Sequence, residues 1–352
     1  MTKRPPILRT LLVVVGLVAG CAPSVRPAAA PSQPKMIISR GGGGWKEGQV
    51  NEPIILVNPK DPTRLVMFYS GMKLGGHGGS IGKAWATAAN PFTWHEDEGN
   101  PVLLNETASP ARDVGVRLDS VIYDAGSDEY WIYYTTYGAG DYISLAMCPA
   151  GADGYSGVVE ANIRRHPGNP ILSPRGQGRT DESHVSQASV LRENGRWTML
   201  YSYRSGAKNI LPGIRLATSP DGKQWTKVAG PDLLSAAPEQ KYIEWHTTIR
   251  VGDRYVMLFE GYNGGTRWGA EVAVSDRLTS GWKKLPTKLL DQTKWPGYSD
   301  GAMFHVATPA VYNWGGRWYL YVQAAPAGYY INQPWSLWVV DCDEALAPYL
   351  RP

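Results

Sequence analysis

Cysteine is scarce in this 352-residue chain, with only Cys21, Cys148 and Cys342. So few thiols exclude a disulfide-stapled scaffold, and no CxxC or HExxH spacing offers a zinc site. Walker-type phosphate loops and EF-hand loops are missing as well. A charge excess is also lacking: 35 Lys and Arg face 31 Asp and Glu. Without the three basic residues of the extreme N-terminus the balance is 32 against 31, which leaves no electrostatic footprint for nucleic acid. Phenylalanine is rare, four residues beside 14 Trp and 20 Tyr, so rings with a polar tip dominate. Cys148 and Cys342 end strand-like runs far apart in the chain and read as two buried thiols rather than a bridge.

Long apolar runs are missing too, apart from LLVVVGLVAG at 11–20. It follows Lys3, Arg4 and Arg9 and precedes Cys21, and it is short for a membrane span. Residues 1–20 therefore read as an export signal. The ending L-V-A-G-Cys21 resembles the lipobox of bacterial lipoproteins, which implies an acylated Cys21 and a lipid-anchored place in the cell envelope. Ala22 after it favours the outer membrane, or the cell surface in a Gram-positive host. Residues 21–35 are rich in Pro, Ala and Ser and read as a flexible tether. The remaining 36–352 read as one domain.

What is present is repetition. EWHTTIRVGDRYVMLFEGY (244–262) is an alternating run, a polar turn and a β-rich run, the signature of a hairpin. Four more such hairpins occur, and the five begin at Glu52, Asp119, Gln187, His246 and Thr308. Their near-regular spacing marks a repeat architecture. Third strand-like runs follow at 79–87, 142–148, 213–219, 269–275 and 336–342. Fourth runs are expected at PVLL (101–104), PILS (170–173), DLLS (232–235) and KLLD (288–291). Four antiparallel strands per unit, repeated five times, predict an all-β fold, a five-bladed β-propeller. The last repeat lacks a fourth run, so MIIS (36–39) is expected to pair there and close the ring.

First strands of blades line a propeller's axis, so the five polar hairpin starts converge. A solvated polar channel is the bland explanation of that column. The functional one is a site built from Glu52, Asp119, Gln187, His246 and Thr308, with Glu182, His184, Glu244 and His305 just upstream of hairpin starts. Arg117 precedes Asp119 and either pairs with it or binds a hydroxyl-rich or anionic group. Trp245 is the candidate stacking platform, and Trp295, Tyr298, Tyr329 and Tyr330 fall in loops. Trp131, Trp197 and Trp318 lie in second strands and are expected to pack between blades.

NEP at 51–53, GNP at 99–101 and 168–170, and SPDGKQW at 219–225, set in this repeat, resemble the five-bladed propeller glycosidases of glycoside hydrolase families 43, 32 and 117. The resemblance covers about residues 40–346 and implies a carbohydrate substrate and acid/base hydrolysis at the axis. In family 43 a carboxylate starting blade 1 is the base, one starting blade 3 tunes it, and a glutamate starting blade 4 is the acid. By that likeness Glu52 stands as base, although the family uses Asp there. Gln187 holds the blade 3 place without a charge. Glu244 stands near the acid's place, in a motif one residue longer. His305 lies close to an axial histidine position. Family 117 uses a histidine acid, which makes His246 a rival, and Asp119 is the candidate for the charge that Gln187 lacks.

Glycoside hydrolysis needs an acid on the leaving oxygen and a base or nucleophile opposite, about 6.5–9.5 Å apart for inversion and about 5–5.5 Å for retention. Crowding of Glu52, Asp119, Glu182 and Glu244 is expected to keep one of them protonated. The leading reading is a glycoside hydrolase acting on a poly- or oligosaccharide. A non-catalytic glycan-binding lipoprotein is the second, and a glycoside phosphorylase the third. No cofactor is indicated, an axial Ca²⁺ has no sequence support, and a monomer is expected.

Overall fold

β-Branched and aromatic runs between short polar turns favour antiparallel hairpins, and the computed structural model is built from them. It describes residues 33–42, 44–73, 79–105, 115–137, 141–174, 181–205, 213–236, 242–262, 268–286, 305–314, 316–325, 335–342, 346 and 348–349. The lipobox, most of the tether and the KLLD run lie outside the described residues.

A first strand, β1 (Lys35–Ile38), precedes the blades. Blade 1 is β2 (Gln49–Val57), β3 (Arg64–Met72), β4 (Gly79–Thr87) and β5 (Asn90–Glu96). Blade 2 is β6 (Gly115–Asp124), β7 (Glu129–Tyr137), β8 (Tyr142–Pro149) and β9 (Arg164–Arg165). Blade 3 is β10 (Glu182–Glu193), β11 (Arg196–Ser205), β12 (Gly213–Ser219) and β13 (Thr226–Lys227), with β14 (Leu234–Ser235) also on β12. Blade 4 is β15 (Tyr242–Val251), β16 (Arg254–Tyr262), β17 (Trp268–Ser275) and β18 (Lys283–Lys284). Blade 5 is β19 (His305–Trp314), β20 (Arg317–Ala325) and β21 (Ser336–Asp341), completed by β1, which pairs antiparallel with β21. The expected closure by the N-terminal strand is thus present. The fold is a five-bladed β-propeller.

Five apolar clusters fill the five gaps between neighbouring blades. Trp131 and Trp197 stack at 5.0 Å between blades 2 and 3, and Trp318 packs between blades 4 and 5, as expected for second-strand tryptophans. Cys148 and Cys342 are buried in different clusters.

The expected fourth strands need correction. In blades 1 to 3 the outer edge of the third strand is met by two separate pieces. On β4 these are β5 and a lone bridge from Ile81 to Leu103, and on β8 they are β9 and a bridge from Ile143 to Leu172. On β12 they are β13 and β14. PVLL, PILS and DLLS supply only the second piece, because the outer strand breaks between the two. The GNP segments sit in that break and explain themselves structurally. Asn100 accepts the Lys83 N–H and donates to the Lys83 carbonyl, both at 2.8 Å, so its amide stands in for a missing ladder rung. Asn169 does the same for Leu145, at 2.9 Å each way. SPDGKQW is likewise a turn: Ser219 Oγ and Asp221 Oδ1 accept the N–H groups that follow them. Gly222, at φ +74, lies where a Cβ would come within 2.8 Å of the Trp131 ring.

Candidate active site at the propeller axis

The inner strands share one irregularity. Between the paired residues Asn51↔Ser70 and Ile54↔Phe68, β2 has two residues, Glu52 and Pro53, facing one on β3. The same two-against-one bulge occurs at 187–188, 245–246 and 308–309, and a single extra residue, Asp119, interrupts β6. Glu52, Gln187, Trp245 and Thr308 have φ of 52°, 58°, 40° and 48°. Such conformations cost about 1–3 kcal/mol per non-glycine residue and persist where surrounding contacts impose them.

The register corrects the expected column. Glu52, Gln187 and Thr308 are equivalent, but their counterparts in blades 2 and 4 are Leu118 and Trp245. Asp119 and His246 stand one residue later, with Pro53, Ala188 and Pro309. Arg117 and Glu244 stand one residue earlier, with Asn51. A bulge adds a residue without leaving a composition signal, so hairpin starts alone misplace these positions by one.

A closed ring of hydrogen bonds confirms that register. The backbone N–H of each residue in the corrected column donates to a side-chain oxygen of the preceding blade. Leu118 donates to Ser70 Oγ at 2.8 Å, Gln187 to Thr135 Oγ1 at 3.0 Å, and Trp245 to Gln187 Oε1 at 2.8 Å. Thr308 donates to Glu260 Oε2 at 3.3 Å, and Glu52 closes the circle on Thr308 Oγ1 at 3.3 Å. These bonds use N–H groups that the bulges withdraw from the ladders, which is the contact that holds the unusual φ values.

Inside the ring lies a pocket of about 290 Å³, counted to its open mouth. Glu52, Asp119, Gln187, Trp245, His246 and Thr308 all line it. Convergence of the five hairpin starts on one axis therefore holds despite the one-residue offset.

Glu52 is buried, and Arg117 Nη2 lies 2.5 Å from its Oε1. Arg117 thus pairs with Glu52 rather than with its sequence neighbour Asp119. The contact is a close ion pair off the angle of an aligned hydrogen bond, and neither Glu52 oxygen has an aligned donor among the described residues. Burial raises the Glu52 pKa, and the Arg117 charge partly offsets that rise. The guanidinium also lies 4.0 Å from the centre of the Trp245 ring, so one face of that ring is already covered.

Asp119 accepts the Thr135 hydroxyl, 2.9 and 2.8 Å from its two oxygens, and burial pushes its pKa up to about 8. It is chiefly protonated at neutral pH, so the charge anticipated there is present only in alkali. Gln187 is not idle: its Nε2 donates to Glu244 Oε2 at 3.1 Å while its Oε1 holds the Trp245 N–H. That amide orients the carboxyl of Glu244. Burial raises the Glu244 pKa, Gln187, Arg204 and Arg117 oppose the rise, and Asp141 adds to it. His246 is buried with both ring nitrogens lacking an aligned partner among the described residues, and burial lowers its pKa to about 4. It is neutral near pH 7 and holds no proton for an acid's work there. Crowding was expected to keep one carboxyl protonated, yet burial is the first cause of the rise at Glu52, Asp119 and Glu244 alike.

Glu182 is not among the pocket's lining. It is buried, with Lys227 Nζ 2.5 Å from one oxygen and Arg215 Nη1 2.8 Å from the other. His184, half-buried at the start of β10, contacts Ser183 Oγ at 3.0 Å through Nδ1 and faces Asp141. His305 opens β19, paired with Ala325 across the hairpin; its side chain, and the loop aromatics Trp295, Tyr298, Tyr329 and Tyr330, lie outside the described residues.

Two acidic residues were missed. Glu260 is buried on β16, directly opposite Glu244 across the hairpin. It is enclosed in the run VMLFEGY, where apolar neighbours suggest a core strand; a lone carboxylate in such a run was the available signal. Asp141 precedes the third strand of blade 2, and its charge acts on Glu244 in blade 4.

No protein-family model matches the sequence, and no curated protein matches it. Solved structures resemble the fold. One described as a glycoside hydrolase superposes with a TM-score of 0.67 at 14% identity, over 89% of this chain and 92% of that one. A GH62 alpha-L-arabinofuranosidase from Coprinopsis cinerea gives 0.60 at 12% identity, over 89% and 98%. A GH32 beta-fructofuranosidase from Bombyx mori gives 0.58 at 16% identity, over 88% of this chain and 61% of the longer enzyme. The structural neighbours are thus glycosidases of propeller fold, and at these identities the likeness establishes the fold.

Proposed function

We propose that the protein is a glycoside hydrolase whose reaction takes place in the axial pocket. The observation that carries this reading is the gathering of buried carboxyls with raised pKa values at the axis: Glu52 and Asp119 line one small open pocket, and Glu244 lies behind it, hydrogen-bonded to the lining residue Gln187. A merely structural axis has no need of carboxyls whose charged forms burial opposes. The fold shared with known glycosidases supports the reading.

Glu244, oriented by Gln187, is the acid: its proton passes to the glycosidic oxygen as the C–O bond breaks. Glu52, kept ionised by Arg117, is the base: it takes a proton from the water whose oxygen bonds to the anomeric carbon. Trp245 offers its uncovered face to the sugar ring, and neutral Asp119 and His246 supply hydrogen-bonding groups. Cys21 acylation and a place in the cell envelope complete the proposal, on the sequence motif alone.

The test is a panel of aryl glycosides and plant, algal and bacterial polysaccharides, followed by Glu52→Gln and Glu244→Gln. Each substitution should lower turnover by about 10²–10⁴-fold while leaving glycan binding largely intact. Proton NMR of the first-formed sugar should show inversion; retention would make Glu52 a nucleophile instead. The glycan-binding reading gains from the Arg117 cation on Trp245, which builds a rigid aromatic platform. It expects binding without turnover, weakened by Trp245→Ala.

A further inference from the structure

Glu244 and Glu260 are direct cross-strand partners on β15 and β16, and both are buried, at 8% and 4% exposure. Directly opposite residues of an antiparallel pair share one sheet face with Cβ atoms about 4.5–5.5 Å apart. Two like charges so placed, away from water, cannot both be ionised without a large penalty. The equivalent second-strand positions of the other blades are Ser70, Thr135, Ser202 and Gln323, all neutral. Only blade 4 places a second carboxyl behind the first.

Both cations and carboxyls face the pair. Glu260 receives the Thr308 N–H from β19 at 3.3 Å, and no ion pair to it is recorded among the described residues. Glu52 and Glu244 both raise it by their charge, with Arg117 opposing, after burial as the leading cause. Glu244 meets Gln187 from β10, Arg204 from β11, Arg117 from β6 and Asp141 from the start of blade 2's third strand. His246, two residues on, is uncharged near neutral pH.

We propose that Glu260 is a positioning residue for the acid: it and Glu244 form one carboxyl pair that shares a proton, extending the pH over which Glu244 can donate. The inference rests on Glu244 being the acid. When Glu244 gives its proton to the leaving oxygen, the pair is left one proton short. It regains that proton from solvent, to which Glu52 releases the one taken from water, so the cycle balances as hydrolysis.

The pair can be read without turnover, by carboxyl ¹³C NMR of glutamate-labelled protein over a pH series. Wild type should show the two carboxyls titrating together in two separated steps. Glu260→Gln should leave Glu244 titrating in one step, lower by about one pH unit or more. Glu244→Gln should lower Glu260 likewise. On any substrate the wild type cleaves, Glu260→Gln should move the alkaline limb of kcat down by the same amount and spare the rate at lower pH, and Glu260→Asp should restore the limb. A structural role for Glu260 would lower the rate at every pH and leave the limb in place. Independent one-step titrations in wild type overturn the proposal, even if the variants fail to fold. Two-step titration with no turnover on any glycoside supports the pair and removes the hydrolase reading instead.

Discussion

Replacing Arg117 with Met removes the countercharge of the proposed base and keeps much of the side chain's bulk. In the native site a guanidinium nitrogen lies 2.5 Å from Glu52 Oε1, with both side chains in the interior. Taking the charge centres as about 4 Å apart and an effective dielectric of about 20, their attraction is ~4 kcal/mol. One pH unit corresponds to ~1.4 kcal/mol, so losing that attraction raises the Glu52 pKa by up to about 3 further units. Burial already holds this carboxyl above its ordinary 4.5. The base then takes up its proton at higher pH than in the native site. The acid limb of kcat/KM on a chromogenic glycoside should therefore move up by about 1–3 pH units. Denaturant unfolding supplies a second readout. Removing one partner of a buried pair costs ~3–5 kcal/mol, and that loss should be largest at high pH and ease as Glu52 becomes protonated. An acid limb that stays in place, with stability lost equally at all pH, would refute the claim that Arg117 keeps Glu52 ionised.

Asp119 makes a pH prediction for the whole domain. A carboxyl raised from 3.8 to about 8 favours folding when protonated, so its contribution is full below about pH 4 and is lost as pH rises through 8. At most ~5–6 kcal/mol is at stake; Asp119→Asn should flatten the fall of the unfolding midpoint between pH 5 and 9, and an unchanged slope would count against the raised value. Lys227→Met leaves Glu182 with Arg215 as its remaining cation, and should cost ~3–5 kcal/mol in denaturant unfolding without altering substrate preference. If it changes preference instead, Glu182 is closer to the sugar than its ion cluster implies. Cys21→Ser should release the protein from membranes on fractionation; an unchanged membrane fraction would end the lipid-anchor proposal.

The five hairpins, the repeat count and the closing strand were all legible along the chain, because period-2 alternation and polar turns are local properties. So was the general neighbourhood of the site, since first strands of blades must meet at the axis. GNP was visible as a motif, but its work as a substitute ladder rung needed the neighbouring strand. What tertiary structure alone decided was register and protonation. The bulges that carry Glu52, Gln187, Trp245 and Thr308 exist because the preceding blade offers an oxygen to each displaced N–H, and no local pattern encodes that partner. Arg117 chose Glu52, 65 positions away, over Asp119 beside it, for the same reason. Glu182 was drawn into an ion cluster by Arg215 and Lys227 on strands of its own blade. Glu260 stayed hidden in an apolar run until hairpin pairing set it opposite Glu244. The charge states depend most on burial, a property of the assembled ring: residue type supplied the carboxyls, and exclusion of water around the axis decided which of them keep their protons.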